Sequence, residues 1–507
     1  MAKQKDKQSM LMRWLNWLEK AGNKLPDPLI LFFYFTMTVI IATAVLSWLG
    51  VTAIHPSTGE EIHILNLLSS EGILVIFSRL LTNFTTFAPL GQVLVIMLAI
   101  GLMDQLGLLG NVLKAIVLAV PKRFITPMLI FVSVLSSIAT DAGYVVLIPL
   151  GAALFASMKR HPIAGLAAAF AGVAGGFGAN LIPTPGDSLL AGITESAAHS
   201  IAPYYTVNIL GNWYFMIASV FLIVIVGTFV TEKIVEPRLG EYKGEYVEDT
   251  ELTKDVSPIV KRAMRGAGIS FVITGVLLSL LIVPSWGPLR GDGDLVASPF
   301  FTHLIAVLFF LFLVPGIVYG RMTKQIRSNA DIAANFMETI KSLSGFIVLA
   351  FMAGQFVGLF AQSNLGAIIA IHGGNFLYNV GFTGFGMIVA FMVLSGFVNL
   401  FIGSASAQWL IFAPIFVPML MQLGYTPEFV QLAYRVGDSV TNPISPLLTY
   451  LALIIIFAQK YDKKAGMGTI ISTMMPYTIF LTIFWFLLVG IWMLFGLPVG
   501  PGVGIFL

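Results

Sequence analysis

Asn180-Leu-Ile-Pro-Thr-Pro185 and Asn442-Pro-Ile-Ser-Pro446 each interrupt a long apolar run, about 163–199 in the first case and 427–459 in the second. Proline lacks an amide hydrogen and its ring clashes with the preceding turn, so neither run continues as a plain helix. Both read as broken helices. Upstream of each lies an apolar segment with a polar centre. The first, about 123–160, carries Ser136, Ser137, Thr140, Asp141 and Gly143; the second, about 386–424, carries Gly403, Ser404, Ser406 and Gln408. Ala139-Thr-Asp-Ala-Gly-Tyr144 falls on Ser404-Ala-Ser-Ala-Gln-Trp409 with an offset of 265, which also brings Pro149 onto Pro414 and Pro162 onto Pro427. After a slip of three residues the two broken motifs coincide as well. The chain uses one folding unit twice.

The surrounding sequence is apolar throughout. Of 507 residues, 57% are hydrophobic and 10% charged, against about 25% charged in an ordinary soluble chain. Mean hydropathy is +0.90. Apolar stretches near the ~20 residues that cross a bilayer lie at about 28–50, 91–119, 163–199, 207–231, 266–284, 301–320, 343–372, 427–459 and 472–496. The fold class is an all-α polytopic membrane protein with about nine transmembrane helices. A net charge of +3 spread over short loops excludes a nucleic-acid footprint. No Walker loop, no His-Glu-x-x-His motif and no cysteine is present, so no ATP site, zinc-protease site or thiol chemistry is expected. No cofactor is expected either. The basic N-terminus lacks the apolar core of a signal peptide.

Lysine and arginine give the orientation, because cytoplasmic loops hold their excess. Lys3, Lys5, Lys7, Arg13, Lys20 and Lys24 place the N-terminus inside, and further clusters run from Lys233 to Arg265, from Arg321 to Lys341 and from Lys460 to Lys464. The tail after Trp492 has no basic residue, so with nine crossings it ends outside, in the periplasm. Lys122 and Arg123 flank one end of the 123–160 segment, Lys159 and Arg160 the other. Both ends are cytoplasmic, so the segment is a re-entrant hairpin whose polar tip needs protein or water around it. The 386–424 segment has no basic flank and enters from the opposite side. The expected organisation is therefore a pair of inverted-topology repeats at 28–231 and 301–496. Residues 1–27 form a cytoplasmic amphipathic segment (apolar at 11, 14, 15, 18 and 21) lying on lipid headgroups, 232–300 a cytoplasmic loop and linking helix, and 497–507 a periplasmic tail. Paired interrupted spans in corresponding halves mark the midplane site of a secondary transporter. Freed carbonyls there suit a cation, and half-helix N-termini an anion.

Several further stretches resemble the p-aminobenzoyl-glutamate transporter (AbgT) family of bacterial inner-membrane proteins. They are Gly22-Asn-Lys-Leu-Pro-Asp-Pro28, Asn83-Phe-Thr-Thr-Phe-Ala-Pro-Leu-Gly91, Arg160-His-Pro-Ile-Ala-Gly-Leu166, Asn212-Trp-Tyr-Phe-Met216, Ile234-Val-Glu-Pro-Arg-Leu-Gly240 and Ala413-Pro-Ile-Phe-Val-Pro-Met419. The resemblance covers nearly the whole chain. It implies a homodimer of protomers with nine helices and two hairpins, of the ion-transporter superfamily whose elevator-type members move a transport domain against a scaffold. It implies import of p-aminobenzoyl-glutamate, or export of sulfonamide antimetabolites, driven by a proton or sodium gradient. It also matches Trp409, Pro427, Arg435 and the acidic residue Asp187 to the binding region.

Arg435 is the only basic residue in the interior of the predicted spans, and such a residue needs a partner or water. It reads as a guanidinium clamp for a substrate carboxylate, or as an ion pair with Asp438 at i+3. Asp187 is a proton carrier, a sodium ligand, or a plain cap on the helix that resumes after Pro185. Asn180, Thr184, Asn442 and Ser445, with the tip residues Ser137, Thr140, Ser404 and Ser406, form two oxygen-rich clusters suited to a hard cation; the plain alternative is that they satisfy freed backbone groups. The candidate sodium ligands are Ser137, Thr140, Asn180, Asp187, Ser404, Asp438 and Asn442. Trp409 is placed to stack on an aromatic amine ring, and Asp141 reads mainly as a backbone partner at the first tip. The competing function class is a channel or facilitator for small organic anions without cation coupling; an intramembrane hydrolase has no nucleophile with a positioned base.

Overall fold

The computed structural model describes residues 28–54, 59–139, 143–242, 257–284, 286–291 and 298–507. The surface helix expected over Met10–Ala21, the tip residues Thr140 and Asp141, and the middle of the charged loop (243–256) lie outside the described residues. Among those described, eight helices are long and apolar enough to cross a bilayer. There are nine if the bent pair Leu108–Leu118 and Lys122–Ile138, meeting at 118°, is taken as one span. The only strands among the described residues are Thr52–Ile54 and Glu61–His63, a short antiparallel ribbon that an all-α reading did not foresee.

These eight or nine candidate spans match the expected number only in total, since they include Ala405–Gln422, an arm of the expected second hairpin, and neither broken helix; two of the expected spans, moreover, do not exist as drawn. The run 91–119 is split by Gly107, whose φ of +75° belongs to the left-handed region that glycine enters freely. Ser70–Thr85 and Ala88–Gln105 precede it and Leu108–Leu118 follows. The run 343–372 is split in the same way by Asn364, at φ +61°, asparagine being one of the few L-residues that tolerate this conformation. Here the order is Asn329–Ser342, Ser344–Gln362 and Leu365–Asn379. The two triplets match element for element.

Their contacts match too, across the halves. The Gln105 amide meets Thr339 Oγ1 at 3.0 Å, and Gln362 Nε2 donates to Asn83 Oδ1 at 2.9 Å. A methyl group at Gly101 would collide with Thr339, and one at Gly358 with Asn83. In each case a glycine, followed four residues later by a glutamine, receives the polar side chain of the other half's amphipathic helix.

The first hairpin runs from Ile125–Leu135 through a 3₁₀ turn at Ser136–Ala139, then back along Gly143–Leu147 and Ile148–Ser157. Its second arm lies backbone to backbone on Pro162–Phe170: a Cβ at Gly165 would stand 2.2 Å from the Gly151 carbonyl oxygen. The second hairpin pairs Phe385–Asn399 with Ala405–Gln422, Ser404 capping the return arm. The first broken helix is Pro162–Phe170, extended by a π turn over Ala171–Gly175, then Pro185–Ala198. The second is Pro427–Thr441, a turn at Asn442–Ile444, then Leu451–Gln459.

Two joints hold the ends. Arg160 donates to Glu236 Oε1 at 2.9 Å and to Thr126 Oγ1 at 2.8 Å while its guanidinium lies 3.9 Å over Phe155. One side chain thereby ties both arms of the first hairpin to the end of the Trp213–Leu239 helix. The last residues, 497–507, are not a free tail. The Val499 carbonyl accepts from the amides of Tyr214 and Phe215, the Ile505 carbonyl from Thr426, and Val499 and Ile505 are buried. The tail thus supplies acceptors to the unsatisfied first amides of one helix and the cap of another. A separate apolar cluster, including Ile96, Leu102, Ala263, Ala267 and Phe312, joins Ala88–Gln105 to Pro258–Leu280 and Leu304–Met322.

Gly165→Ala is expected to lower the thermal midpoint of the purified protein through overpacking, typically about 1–3 kcal/mol. Gly268→Ala, where nothing lies within 4 Å of the new methyl group, is expected to leave it unchanged; thermal unfolding in detergent compares the two.

Candidate functional site

The break at Asn180–Pro185 is closed by a capping box. Thr184 Oγ1 accepts from the Asp187 amide, while Asp187 Oδ2 accepts from the Thr184 amide at 2.6 Å and its hydroxyl at 2.7 Å. Asn180 Nδ2 adds a third donor at 2.9 Å. The remaining oxygen, Oδ1, faces Arg435 Nη1 at 2.6 Å, with both side chains almost wholly buried (5% and 6% exposed). Asp187 therefore caps its helix and neutralises the intramembrane arginine at once. The alternative reading, an Arg435–Asp438 pair at i+3, is not formed. Asp438 instead receives the Tyr434 hydroxyl at 3.4 Å, and its backbone carbonyl accepts from Asn399 Nδ2 at 2.9 Å. Proximity along the helix was the wrong guide, because the proline break turns Asp187 toward Arg435 from the other half of the chain.

A cavity of about 420 Å³ opens beside this pair. Its polar wall comes from Arg435, Asp438, Ser439 and Asn442 on the second broken helix, Thr184 on the first, Ser137 at the first tip, and Ser404 and Ser406 at the second. Its apolar wall includes Tyr144, Phe177, Tyr434 and Tyr450, with Val93, Met97 and Phe346 from the long helices outside the hairpins. Tyr144 and Tyr450 stack at 4.4 Å, which brings the first hairpin against the second broken helix. Three polar atoms of lining residues are buried without a partner among the described residues: Ser137 Oγ, Ser439 Oγ and Arg435 Nε. Native interiors leave few such groups, so a cluster of them marks a place built to receive something.

Four sequence candidates sit elsewhere. Trp409 is fully buried and does not line the cavity; Tyr434 covers its face at 4.5 Å and Thr194 Oγ1 takes its indole proton. Pro427 starts the second broken helix, buried and away from the cavity, and Asn180 lies behind Asp187. Ser445 Oγ donates to the Asn399 carbonyl at 3.3 Å. The sequence reading also missed two residues. Asn399, at the end of the second hairpin's first arm, donates to Asp438 O, Thr441 Oγ1 and Asn442 Oδ1. Tyr434 is the aromatic surface that the cavity presents in place of Trp409. Their signal was present: Tyr434 immediately precedes Arg435, and Asn399 sits one turn before Gly403.

The chain as a whole, site included, has counterparts among known proteins. A model described as the AbgT putative transporter family matches residues 13–507. The chain belongs to this family. It is 38% identical over 489 residues, 96% of each chain, to the p-aminobenzoyl-glutamate transport protein of Escherichia coli strain K12. Among solved structures, the YdaH transporter of Alcanivorax borkumensis superposes with a TM-score of 0.89 at 42% identity, covering 94% of this chain and all of that one. MtrF of Neisseria gonorrhoeae, described as illuminating a class of antimetabolite efflux pumps, gives a TM-score of 0.91 at 44% identity, covering 97% and 100%. This AbgT-family chain is accordingly a multi-pass membrane transporter and not an enzyme.

Removing one partner from a buried pair leaves an uncompensated charge, at a cost of about 3–5 kcal/mol. Asp187→Asn and Arg435→Ala are therefore each expected to destabilise the purified transporter, and the double variant Asp187→Asn/Arg435→Met to regain part of the loss. A double variant no more stable than the worse single in thermal unfolding would show that the pair is not what was lost.

Proposed function

We propose that this chain is an ion-gradient-coupled secondary transporter of p-aminobenzoyl-glutamate-like folate catabolites, sulfonamide antimetabolites, or both. The observation that carries the reading is Arg435 in the wall of an aromatic cavity, held by Asp187 with its Nε still unpaired. A glutamyl carboxylate suits the guanidinium, which binds carboxylates with planar, charge-assisted hydrogen bonds. An aminobenzoyl ring suits the tyrosine and phenylalanine faces. A volume of about 420 Å³ falls within the usual range for small-molecule sites. The E. coli relative is called a p-aminobenzoyl-glutamate transport protein, and MtrF is described with antimetabolite efflux pumps; both substrate classes share the aromatic amine.

Coupling is to a proton or to sodium. The oxygen set of Ser137, Asn399, Ser404, Asp438 and Asn442 offers the carbonyl, hydroxyl and carboxylate donors that hard cations prefer, with the Asn180–Asp187 cluster beside it. In this reading the two halves are inverted repeats, with the N-terminus cytoplasmic and the C-terminus periplasmic. The hairpins and broken helices move as a body against the long outer helices in an elevator-type cycle, and two copies of the chain form a homodimer in the bacterial inner membrane.

Proteoliposome flux tests this directly. At fixed pH, replacing sodium with choline is expected to abolish accumulation of labelled p-aminobenzoyl-glutamate if sodium is the coupling ion; at fixed sodium, collapse of the pH gradient does so if it is the proton. Accumulation untouched by both makes the protein a facilitator. Arg435→Ala is expected to reduce flux roughly 10- to 100-fold, the loss of a hydrogen bond to a charged group worth about 1.5–3 kcal/mol.

A further inference from the structure

Glu428 is a buried carboxylate that the cavity does not use. It stands in the first turn of the second broken helix, 2% exposed, on the same face as Arg435 two turns later. Oε2 accepts from the Tyr205 hydroxyl at 2.9 Å and Oε1 from the Asn208 amide at 3.2 Å. Among the described residues no lysine, arginine or histidine forms an ion pair with it. Its neighbour is another acid. Glu195, on the resumed first broken helix, accepts from the Val207 amide at 2.9 Å, so two carboxylates hold consecutive amides of the loop joining Ala198 to Trp213.

The same two helices carry the central ion pair. Asp187 and Glu195 share Pro185–Ala198; Arg435 and Glu428 share Pro427–Thr441. The packed pair thus attracts at one end and sets two acids together at the other. Besides Glu195, the titratable groups facing Glu428 are Tyr205, His199 through the Tyr205 carbonyl at 2.9 Å, and Tyr425, stacked on Phe429; residues 498–507 add no ionisable side chain. Pro203, Tyr204 and Thr206 are exposed and Tyr205 between them is partly buried, so the loop that carries Tyr205 reaches the surface beside Glu428. Inward from Glu428, its carbonyl accepts from Asn212, Asn212 Oδ1 from Gln431, Gln431 Oε1 from Thr194, and Thr194 Oγ1 from Trp409, the residue beneath Tyr434. Amide links transmit position rather than protons.

We propose that Glu428, biased by Glu195, is a proton-binding site separate from the substrate cavity, and that its protonation sets the spacing of the two broken helices and so the Arg435–Asp187 contact. As the Tyr205 hydroxyl proton moves to Oε2, the Tyr205 oxygen takes a proton from hydronium and leaves water; release runs the same two transfers in reverse, and the tyrosine is regenerated. This rests on the reading of the chain as a cation-coupled transporter with the proton among its ions.

Infrared difference spectra of the purified full-length protein under pH titration separate the two ideas, because they need no transport. A protonated-carboxyl band that disappears in Glu428→Gln is expected, and a band unchanged by that substitution overturns the site. A wild type that shows the band but no proton-dependent flux keeps the site and removes proton coupling. In proteoliposomes, Glu428→Gln is expected to lose roughly tenfold or more of pH-gradient-driven accumulation and to flatten the pH profile of substrate exchange. Glu195→Gln removes a repelling charge and is expected to move the midpoint of that profile to lower pH. Tyr205→Phe removes a donor to the ionised carboxylate and is expected to move it to higher pH. Midpoints that stay in place, or shift together, refute the proposal even if Glu428→Gln does not fold.

Discussion

A guanidinium buried at membrane depth has no stable home without an anion, and in this protein the anion comes from the other half of the chain. The Arg435–Asp187 contact spans 248 positions of sequence, and both broken helices are shaped around it. Asp187 can serve only because Pro183 and Pro185 stop the first helix and the capping box turns the carboxylate toward Arg435. The cost of removing two charges from water is large. It is met by the short contact together with the three donors on Asp187 Oδ2. Much of the cavity wall follows from that constraint.

Satisfaction of polar groups is uneven through the molecule. At the ends, Arg160 uses nitrogens on Glu236 and Thr126, and the tail carbonyls receive the amides of Tyr214, Phe215 and Thr426. At the cavity, Ser137, Ser439 and Arg435 leave atoms unpaired. In the proposed reading, the substrate supplies the partners these cavity atoms lack.

How much of this was legible in the sequence depends on how each feature is encoded. Proline breaks and basic flanks are written in residue type, so both broken helices and both hairpins could be placed in advance. The breaks at Gly107 and Asn364 rest on one left-handed residue each inside an apolar run, and hydropathy does not register a backbone angle. The partner of Arg435 was sought at i+3 because sequence offers only local neighbours. Trp409 was singled out for its ring, yet the fold covers that ring with Tyr434. The tail had no charge to reveal that it binds backbone amides.

The exchanged glutamine clasps bear on how the protein is made. Asn83 waits for Gln362, 279 residues further along the chain. At the usual pace of synthesis, about 5–20 residues per second, the Ser70–Thr85 helix stays in the membrane without its mate for some tens of seconds. Neither half is a complete object until its counterpart has been inserted. Biogenesis thus has a vulnerable interval, in which that early helix's polar side chain must be sheltered by lipid headgroups or the insertion machinery.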